Sequence, residues 1–326
     1  MLIDRFNRTI DYIRLSVTDR CDFRCVYCMS EDMTFMPRAQ VLTLEELAEV
    51  GAAFVELGVK KIRITGGEPL IRRNVMQLFR TLGQLPLQEL TLTTNGSHLA
   101  QHANALKAAG VKRINISLDT LDADKFKALT RTGDLNQVLD GIHAARAAGF
   151  ERIKLNAVVL KNRNADEVPT LVRFALEHQL DISFIEEMPL GAITEHSRAL
   201  EFCSSAELRD QLQTVFTLEP LDNESAGPSR YWQVPGSTSR IGFISPHSEN
   251  FCASCNRVRV SAEGKLLLCL GNDHAADLRH LLRAHPGDRE ILKQAIVNAM
   301  QLKPEKHHFT HDDTPQIVRF MNATGG

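Results

Sequence analysis

The sequence predicts an α/β protein built on a parallel sheet. Three observations carry that expectation. Between residues 12 and 187, short runs rich in Ile, Val, Leu and Thr alternate with segments of 3.6-residue apolar period. Several helical segments stop at a glycine before the next strand begins, at Gly58, Gly110 and Gly149. The chain is 326 residues long, enough for a large core and for more than one domain.

Six strands are expected: Tyr12–Val17, Lys61–Ile64, Leu90–Thr93, Arg113–Leu118, Ile153–Val159 and Ile182–Ile185. Leu44, Leu47, Ala48, Gly51, Phe54 and Val55 keep a helical period, and Thr43 with Glu46 forms a capping box that opens that helix. Further helices are expected near Val75–Leu82, Leu99–Ala109, Asp134–Ala148 and Asp166–His178. Six βα alternations fit either an open doubly wound sheet or a partial barrel. After Met188 the pattern changes. Ser204 and Glu207 cap a helix through Leu212, a Gly/Pro-punctuated stretch spans 223–239, and helices follow near Leu278–Arg283 and Arg289–Met300. Tyr231 and Trp232 mark a strand inside that stretch. The expected domain boundary lies between 190 and 200, dividing the chain into 1–195 and 196–326.

Bulk charge excludes some function classes. Lys and Arg number 38 against 40 Asp and Glu, for a net charge of −2. That balance offers no general electrostatic attraction to nucleic acid or to an anionic membrane, so neither is expected as a partner. There is no run of 18 apolar residues, and the first eleven residues contain no hydrophobic leader segment, so a cytoplasmic location is expected.

Cysteine spacing is the sharpest signal. Seven are present: Cys21, Cys25 and Cys28; Cys252, Cys255 and Cys269; and Cys203 alone. Two groups of three plus one argue for metal rather than for disulfides. Cys21-x3-Cys25-x2-Cys28 follows the first strand, and soft thiolates select zinc or iron–sulfur clusters. An electron-transfer cluster uses four cysteines, so three leave one iron open for chemistry. A structural zinc site with a remote fourth ligand is the competing interpretation. Tyr27 lies between the last two thiols, placing an aromatic ring beside the metal.

CDFRCVYC, directly after a first strand, resembles the signature of the radical S-adenosylmethionine (SAM) superfamily. Thr65-Gly66-Gly67-Glu68-Pro69, after the second strand, resembles its methionine-binding segment. The resemblance implies a [4Fe–4S] cluster on Cys21, Cys25 and Cys28, and SAM bound near Tyr27, Gly67, Ser117 and Met188. Gly66 and Gly67 lack Cβ atoms, so their backbone is expected to approach the ligand closely, and Glu68 to add a charged partner. Thr93, in LTTNG, and Ser117, in NISLD, stand at strand carboxyl ends, the ligand face of a barrel.

The second triad, Cys252-x2-Cys255-x13-Cys269, begins with a common zinc half-site, with Cys203, His307, His308 or His311 as candidate fourth ligands. Arg257 and Arg259 follow it and point to one face of a strand, while Val258 and Val260 point to the other. Two fork-shaped cations beside a metal suit a phosphate group. FCASCNRVRV, the distant Cys269 and the terminal Gly325-Gly326 resemble the GTP 3′,8-cyclase family of molybdenum cofactor biosynthesis, and the likeness runs along nearly the whole chain. It implies a second [4Fe–4S] cluster on Cys252, Cys255 and Cys269, GTP as substrate and an external electron donor. Arg14, Arg63, Thr93, Lys154, Arg257 and Arg259 are the implied GTP contacts. Hydrogen abstraction at ribose C3′ and bond formation to guanine C8 require both metal sites at one cavity. That requirement favours a partial (β/α)6 TIM-type barrel with a smaller C-terminal α+β domain capping its mouth. The Gly325-Gly326 tail is expected to reach the active site and to help place SAM or an arginine. Cys203 is expected to be an ordinary buried thiol, and a homodimer is compatible with the sequence. The alternative function is a two-cluster radical SAM enzyme that modifies a peptide side chain.

Overall fold

A computed structural model describes residues 1–193, 197–222, 227–307, 309 and 317–325. The barrel strands are β1 (Tyr12–Ser16), β2 (Lys61–Thr65), β3 (Glu89–Thr94), β4 (Val111–Ser117), β5 (Arg152–Val159) and β6 (Asp181–Glu186). The helices between them are α1 (Leu44–Glu56), α2 (Val75–Gly83), α3 (Leu99–Ala108), α4 (Ala123–Thr130), α5 (Leu135–Ala148) and α6 (Val168–Glu177). All six expected strands are present, with ends shifted by a residue or two. The expected capping box is complete at Thr43 and Glu46. Gly149 ends α5 in the left-handed conformation, and a proline in the first turn of α6 presets its dihedrals.

Beyond β6 lie α7 (Arg198–Glu201), α8 (Ser205–Gln213), β7 (Glu219–Pro220), β8 (Ser229–Gln233), β9 (Arg240–Ile244), β10 (Arg257–Val260), β11 (Lys265–Leu267), β12 (Ala275–Asp277), α9 (Leu278–Ala284), α10 (Arg289–Met300) and α11 (Met321–Thr324). Ser204 and Glu207 form the second capping box, as expected. β8 carries Tyr231 and Trp232. The sequence pattern did not reveal β9, which sits in a stretch dominated by breakers. Gly242 in β9 is required by packing, since a Cβ there would stand 2.2 Å from Ser229 Oγ and 2.6 Å from Ser183 Oγ. α4 and α11 were also not foreseen, because each is too short to show a helical period.

Strand order is β12-β11-β10-β1-β2-β3-β4-β5-β6-β9-β8-β7. The six barrel strands are consecutive and parallel. The C-terminal region extends this sheet at both edges: β10 pairs parallel with β1, and β9 pairs parallel with β6. Antiparallel hairpins then close each end. The C-terminal part is therefore mixed α and β, as expected, but its strands continue the barrel sheet.

Alternation along the strands separates an apolar layer from a polar interior. Ile13, Leu15, Ile62, Ile64, Leu90, Leu92, Ile114, Ile116, Ile153 and Leu155 face the helices and join one hydrophobic core. Their neighbours Arg14, Arg63, Thr93, Asn115 and Lys154 face inward and line a cavity. A filled TIM barrel stacks branched apolar side chains there, so a polar interior marks a binding chamber. α9 and α10 are tied to α1 by ion pairs of Arg283 with Glu46, Arg289 with Glu49 and Glu56, and Lys293 with Glu56. Such exposed pairs contribute little singly, and here they align the C-terminal helices against the barrel wall. Among the described residues no helix is long and apolar enough to cross a membrane.

Candidate active site

The interior cavity has a volume of about 680 Å³, and all six grouped cysteines line it. Tyr27, Gly67, Ser117, Met188, Arg14, Arg63, Thr93, Lys154, Arg257 and Arg259 line it too, whereas Glu68, also expected to contact a ligand, does not. The pairing of the C-terminal strands with the barrel edge is the cause. Strand β10 carries the two arginines just after Cys255 and lies beside β1, whose following loop carries Cys21.

The first triad sits on a loop that crosses the end of β2. Gly67 N–H donates to Thr18 O at 2.7 Å, and Glu68 N–H donates to Arg20 O at 2.8 Å. A Cβ on Gly67 would stand 2.3 Å from Arg20 O, which no side chain tolerates. Contact with the cysteine loop is therefore what requires glycine here, a constraint the sequence reading assigned to ligand approach alone. Glu68 also differs from expectation. It is fully buried, and its carboxyl accepts from Leu70 N–H, Asn95 N–H and Thr94 Oγ1–H. Burial raises its pKa to about 8 despite those donors. Glu68 braces the end of β3 against the turn after β2 and does not line the cavity.

Asn95 continues that brace, donating to Asp22 Oδ1 at 2.7 Å, and Ser97 donates to Asp22 Oδ2 at 2.7 Å. Tyr27, between Cys25 and Cys28, donates to Asp119 Oδ2 at 2.7 Å. Asp119 Oδ1 accepts from Val158 N–H at 2.9 Å. Burial pushes the Asp119 carboxyl up to about 6 and the Tyr27 phenol well above its usual range. Burial likewise raises Cys28 to about 12, and it raises Cys21 and Cys25 as well. A thiol raised in this way gains most from a cation that takes the thiolate, so three partly buried thiols on a cavity wall fit a metal cluster. Among the described residues, no three His, Cys, Asp or Glu side chains converge tightly enough for a single metal ion.

The second triad is framed by cations. Cys252 opens a 3-10 turn over Cys252–Ser254, and its carbonyl accepts from Arg8 at 2.8 Å. Lys303, fully buried, donates to Arg257 O at 3.1 Å and to Leu268 O. Burial raises the Cys255 thiol, but Lys303, Arg257 and Arg8 outweigh it and lower its pKa. Of the candidate zinc ligands, Cys203 is buried in the hydrophobic core away from the cavity, and His307 lines the cavity. His308 and His311 lie outside the described residues.

Between the triads lies a cluster of buried cations. Arg63 donates to Thr93 Oγ1 at 3.1 Å, while its Nε has no hydrogen-bond partner. One terminal nitrogen of Arg257 is also buried without a partner. Lys154 Nζ donates to Tyr231 Oη at 3.4 Å. Burial lowers the pKa values of Arg63, Lys154, Arg257 and Arg259. Desolvated guanidinium donors without acceptors are costly, and a polyanionic ligand satisfies them. Arg259 donates to Gly325 O, so Gly325 holds an arginine of the cavity wall. Asn322 fixes this tail by donating to Asp19 O at 2.9 Å. Gly326 lies outside the described residues.

Sequence reasoning missed several lining residues. Asp119 closes NISLD, and Asn156 stands two positions after Lys154 on the same strand face; alternation pointed to both. Tyr231 and Arg240 line the far wall, where the arginine lies 4.7 Å from the ring centroid and pairs with Asp181 at 2.6 Å. Only the expected strand around Tyr231 hinted at them. Met321 and Asn322 come from the tail and carry no motif.

Residues 15–175 match the radical SAM superfamily model, and residues 180–309 match the Molybdenum Cofactor Synthesis C model. The chain is 61% identical over 325 residues to the GTP 3′,8-cyclase of Marinobacter nauticus, covering 100% of this chain and 98% of the relative. Proteins of the same name from Pseudomonas entomophila and Saccharophagus degradans are also 61% identical, with the same coverage. The chain belongs to the GTP 3′,8-cyclase family. Membership of the radical SAM superfamily brings with it a [4Fe–4S] cluster and SAM, which the cavity-lining first triad fits. Among solved structures, Streptococcus suis SuiB shares the fold at a TM-score of 0.60 and 14% identity, over 89% of this chain and 67% of SuiB. SuiB bound to S-adenosylmethionine gives the same TM-score at 15% identity, over 97% of this chain and 77% of SuiB. The fold expectation of a partial barrel with a C-terminal extension holds in this family member.

Proposed function

We propose that this chain converts GTP to (8S)-3′,8-cyclo-7,8-dihydroguanosine 5′-triphosphate, an early step of molybdenum cofactor biosynthesis. The observation that carries the proposal is one cavity lined by two thiol triads, with buried and partly unpartnered guanidinium groups between them. Relatives named GTP 3′,8-cyclase match over the full chain, whereas the likeness to SuiB concerns fold alone.

When bound, two [4Fe–4S] clusters and SAM supply the reducing electron, the hydrogen-abstracting adenosyl group and an open iron for the guanine base. Cys21, Cys25 and Cys28 hold the first cluster, and Cys252, Cys255 and Cys269 hold the second. Tyr27, Gly67, Ser117 and Met188 shape the SAM pocket. Arg14, Arg63, Thr93, Lys154, Arg257 and Arg259 bind GTP, with the cations neutralising the triphosphate. The chain's task is positional: the walls exclude water and bring the reacting atoms to about 3–3.5 Å. Residues 1–195 form the radical-generating part and residues 196–326 the substrate part. Two electrons are consumed per turnover, one for SAM cleavage and one, with a proton, for reaching the dihydro product, and they come from a separate donor. Seven free thiols and two clusters suit a reducing cytoplasm.

Anaerobic incubation with SAM, reductant and GTP tests the reading. The expected products are 5′-deoxyadenosine and a cyclised nucleotide in equal amounts, from a protein holding about eight irons. Arg257→Ala with Arg259→Ala should abolish GTP binding while SAM binding persists. GTP binding that survives this change refutes the assignment of the two arginines. A chain with about four irons refutes the second cluster.

A further inference from the structure

Tyr12 stands at the centre of the cation cluster, yet no role has been given to it above. Its side chain is buried and lines the cavity. From its own strand, Arg14 Nε donates to its hydroxyl at 3.2 Å. From β2, Lys61 Nζ lies 5.1 Å and the Arg63 guanidinium 5.9 Å from the ring centroid. From β10, Arg257 occupies the position directly beside it in register. The carboxylate that reaches this group, Glu89 on β3, is engaged by Lys61 at 2.6 Å and by Arg113.

Glu89 answers Lys61, but no ion pair among the described residues answers Arg14, Arg63 or Arg257, and the substrate supplies that negative charge only when bound. We propose that Tyr12 is the counter-anion of the substrate-free cavity: its phenolate holds Arg14, Lys61, Arg63 and Arg257 together, and the triphosphate takes over that charge, so that GTP binding transfers one proton from solvent to the Tyr12 oxygen. The inference rests on the GTP reading above and deepens it.

The electrostatics agree with the geometry. Burial pushes the phenol up, but Arg14, Arg63, Lys61 and Arg257 outweigh it and bring it to about 6. That balance favours the phenolate over the phenol in the free protein. Tyr27 is held far above neutrality by burial and Asp119, and Tyr231, beside Lys154, titrates near 8. A triphosphate among the same four cations cancels the field that ionises Tyr12, so the phenol recaptures its proton. A group whose pKa rises on binding makes that binding weaken with rising pH, by linkage.

Two measurements on the anaerobic, cluster-loaded protein test this, with GTP added and SAM withheld so that no turnover occurs. Calorimetry near pH 7.5 in buffers of different ionisation enthalpy counts the protons taken up. Ionisation of GTP and of Lys154 contributes to both the wild type and Tyr12→Phe, so their difference isolates Tyr12 and should be about one proton. Between about pH 7.5 and 9 the affinity of the wild type should fall about tenfold per unit more steeply than that of the variant. The chain has three tyrosines, so labelling their Cζ carbons with 13C gives three signals. One signal, retained in Tyr231→Phe, should stand at the phenolate position without GTP and return to the phenol position with it. Equal proton counts in two chains that both bind GTP overturn the proposal, as do three phenol-type signals in the substrate-free wild type. A wild type that binds no GTP overturns the substrate reading instead.

Discussion

Replacing Gly325 with alanine isolates the contribution of the inserted chain end. Gly325 has φ of +77° and packs against the carboxyl ends of β1 and β2. A Cβ there would stand 2.3 Å from Thr65 Oγ1 and 3.0 Å from Ser16 Cβ. Ser16 and Thr65 are register partners in the centre of the sheet, so the strands hold their places and the tail gives way. Holding an L-residue at this φ costs about 1–3 kcal/mol. Losing the charged bond from Arg259 to Gly325 O costs about 1.5–3 kcal/mol more. The docked tail is thus disfavoured by at least about 2.5 kcal/mol, roughly seventyfold in population. Turnover of GTP by the anaerobic holoenzyme should fall to that of a chain lacking residues 325–326, one to two orders of magnitude below wild type. Iron content and Tm should stay unchanged, because the tail lies outside the hydrophobic core. Wild-type turnover by Gly325→Ala would refute the role given to the tail.

Lys154→Met removes a desolvated charge and keeps the side-chain length. Tm should hold or rise while GTP affinity drops at least about tenfold, read by calorimetry. Glu68→Ala leaves Leu70 N–H, Asn95 N–H and Thr94 Oγ1–H without their acceptor. At about 1–3 kcal/mol each, that lowers Tm by about 5–10 °C; an unchanged Tm counts against the brace. Arg198→Met breaks a buried ion pair with Glu187 and the bonds to Leu190 O and Gly191 O. Because Met188 adjoins this loop, SAM affinity should weaken together with Tm, and a fall in Tm alone would show that the loop does not position SAM. Cys269→Ser should reduce iron from about eight to about four per chain, with SAM still binding at the first triad; retention of all the iron would exclude Cys269 as a ligand.

Much of the fold was legible because the barrel is built from local signals. Thr43 with Glu46 and Ser204 with Glu207 state helix starts in four residues. Strand alternation correctly put Lys154, Arg257 and Arg259 on the inner face, since the period of two leaves no other choice once Ile153, Leu155, Val258 and Val260 are buried. What failed was also physical. β9 is five residues long and contains a glycine demanded by Ser229 and Ser183, partners that only the folded sheet supplies. Gly67 was singled out for ligand approach, and the structure adds a separate reason for glycine there, the carbonyls of Asp19 and Arg20 in a loop 47 or more positions earlier.

By itself the sequence marked where metal chemistry was to be expected. Each thiol triad is compressed into a few residues or one hairpin, the spacing that ligands of one common metal site ask for, and that spacing is written along the chain. The tertiary structure decided the cavity. Parallel pairing sets β10 directly beside β1, and the tail packs against the carboxyl ends of β1 and β2, so that Tyr12 stands beside Arg257 and Arg259 meets Gly325. Those meetings join residues far apart in the chain through the register and curvature of eight parallel strands. Electrostatic balance inside the chamber is a sum over all of these strands, and no single segment carries it.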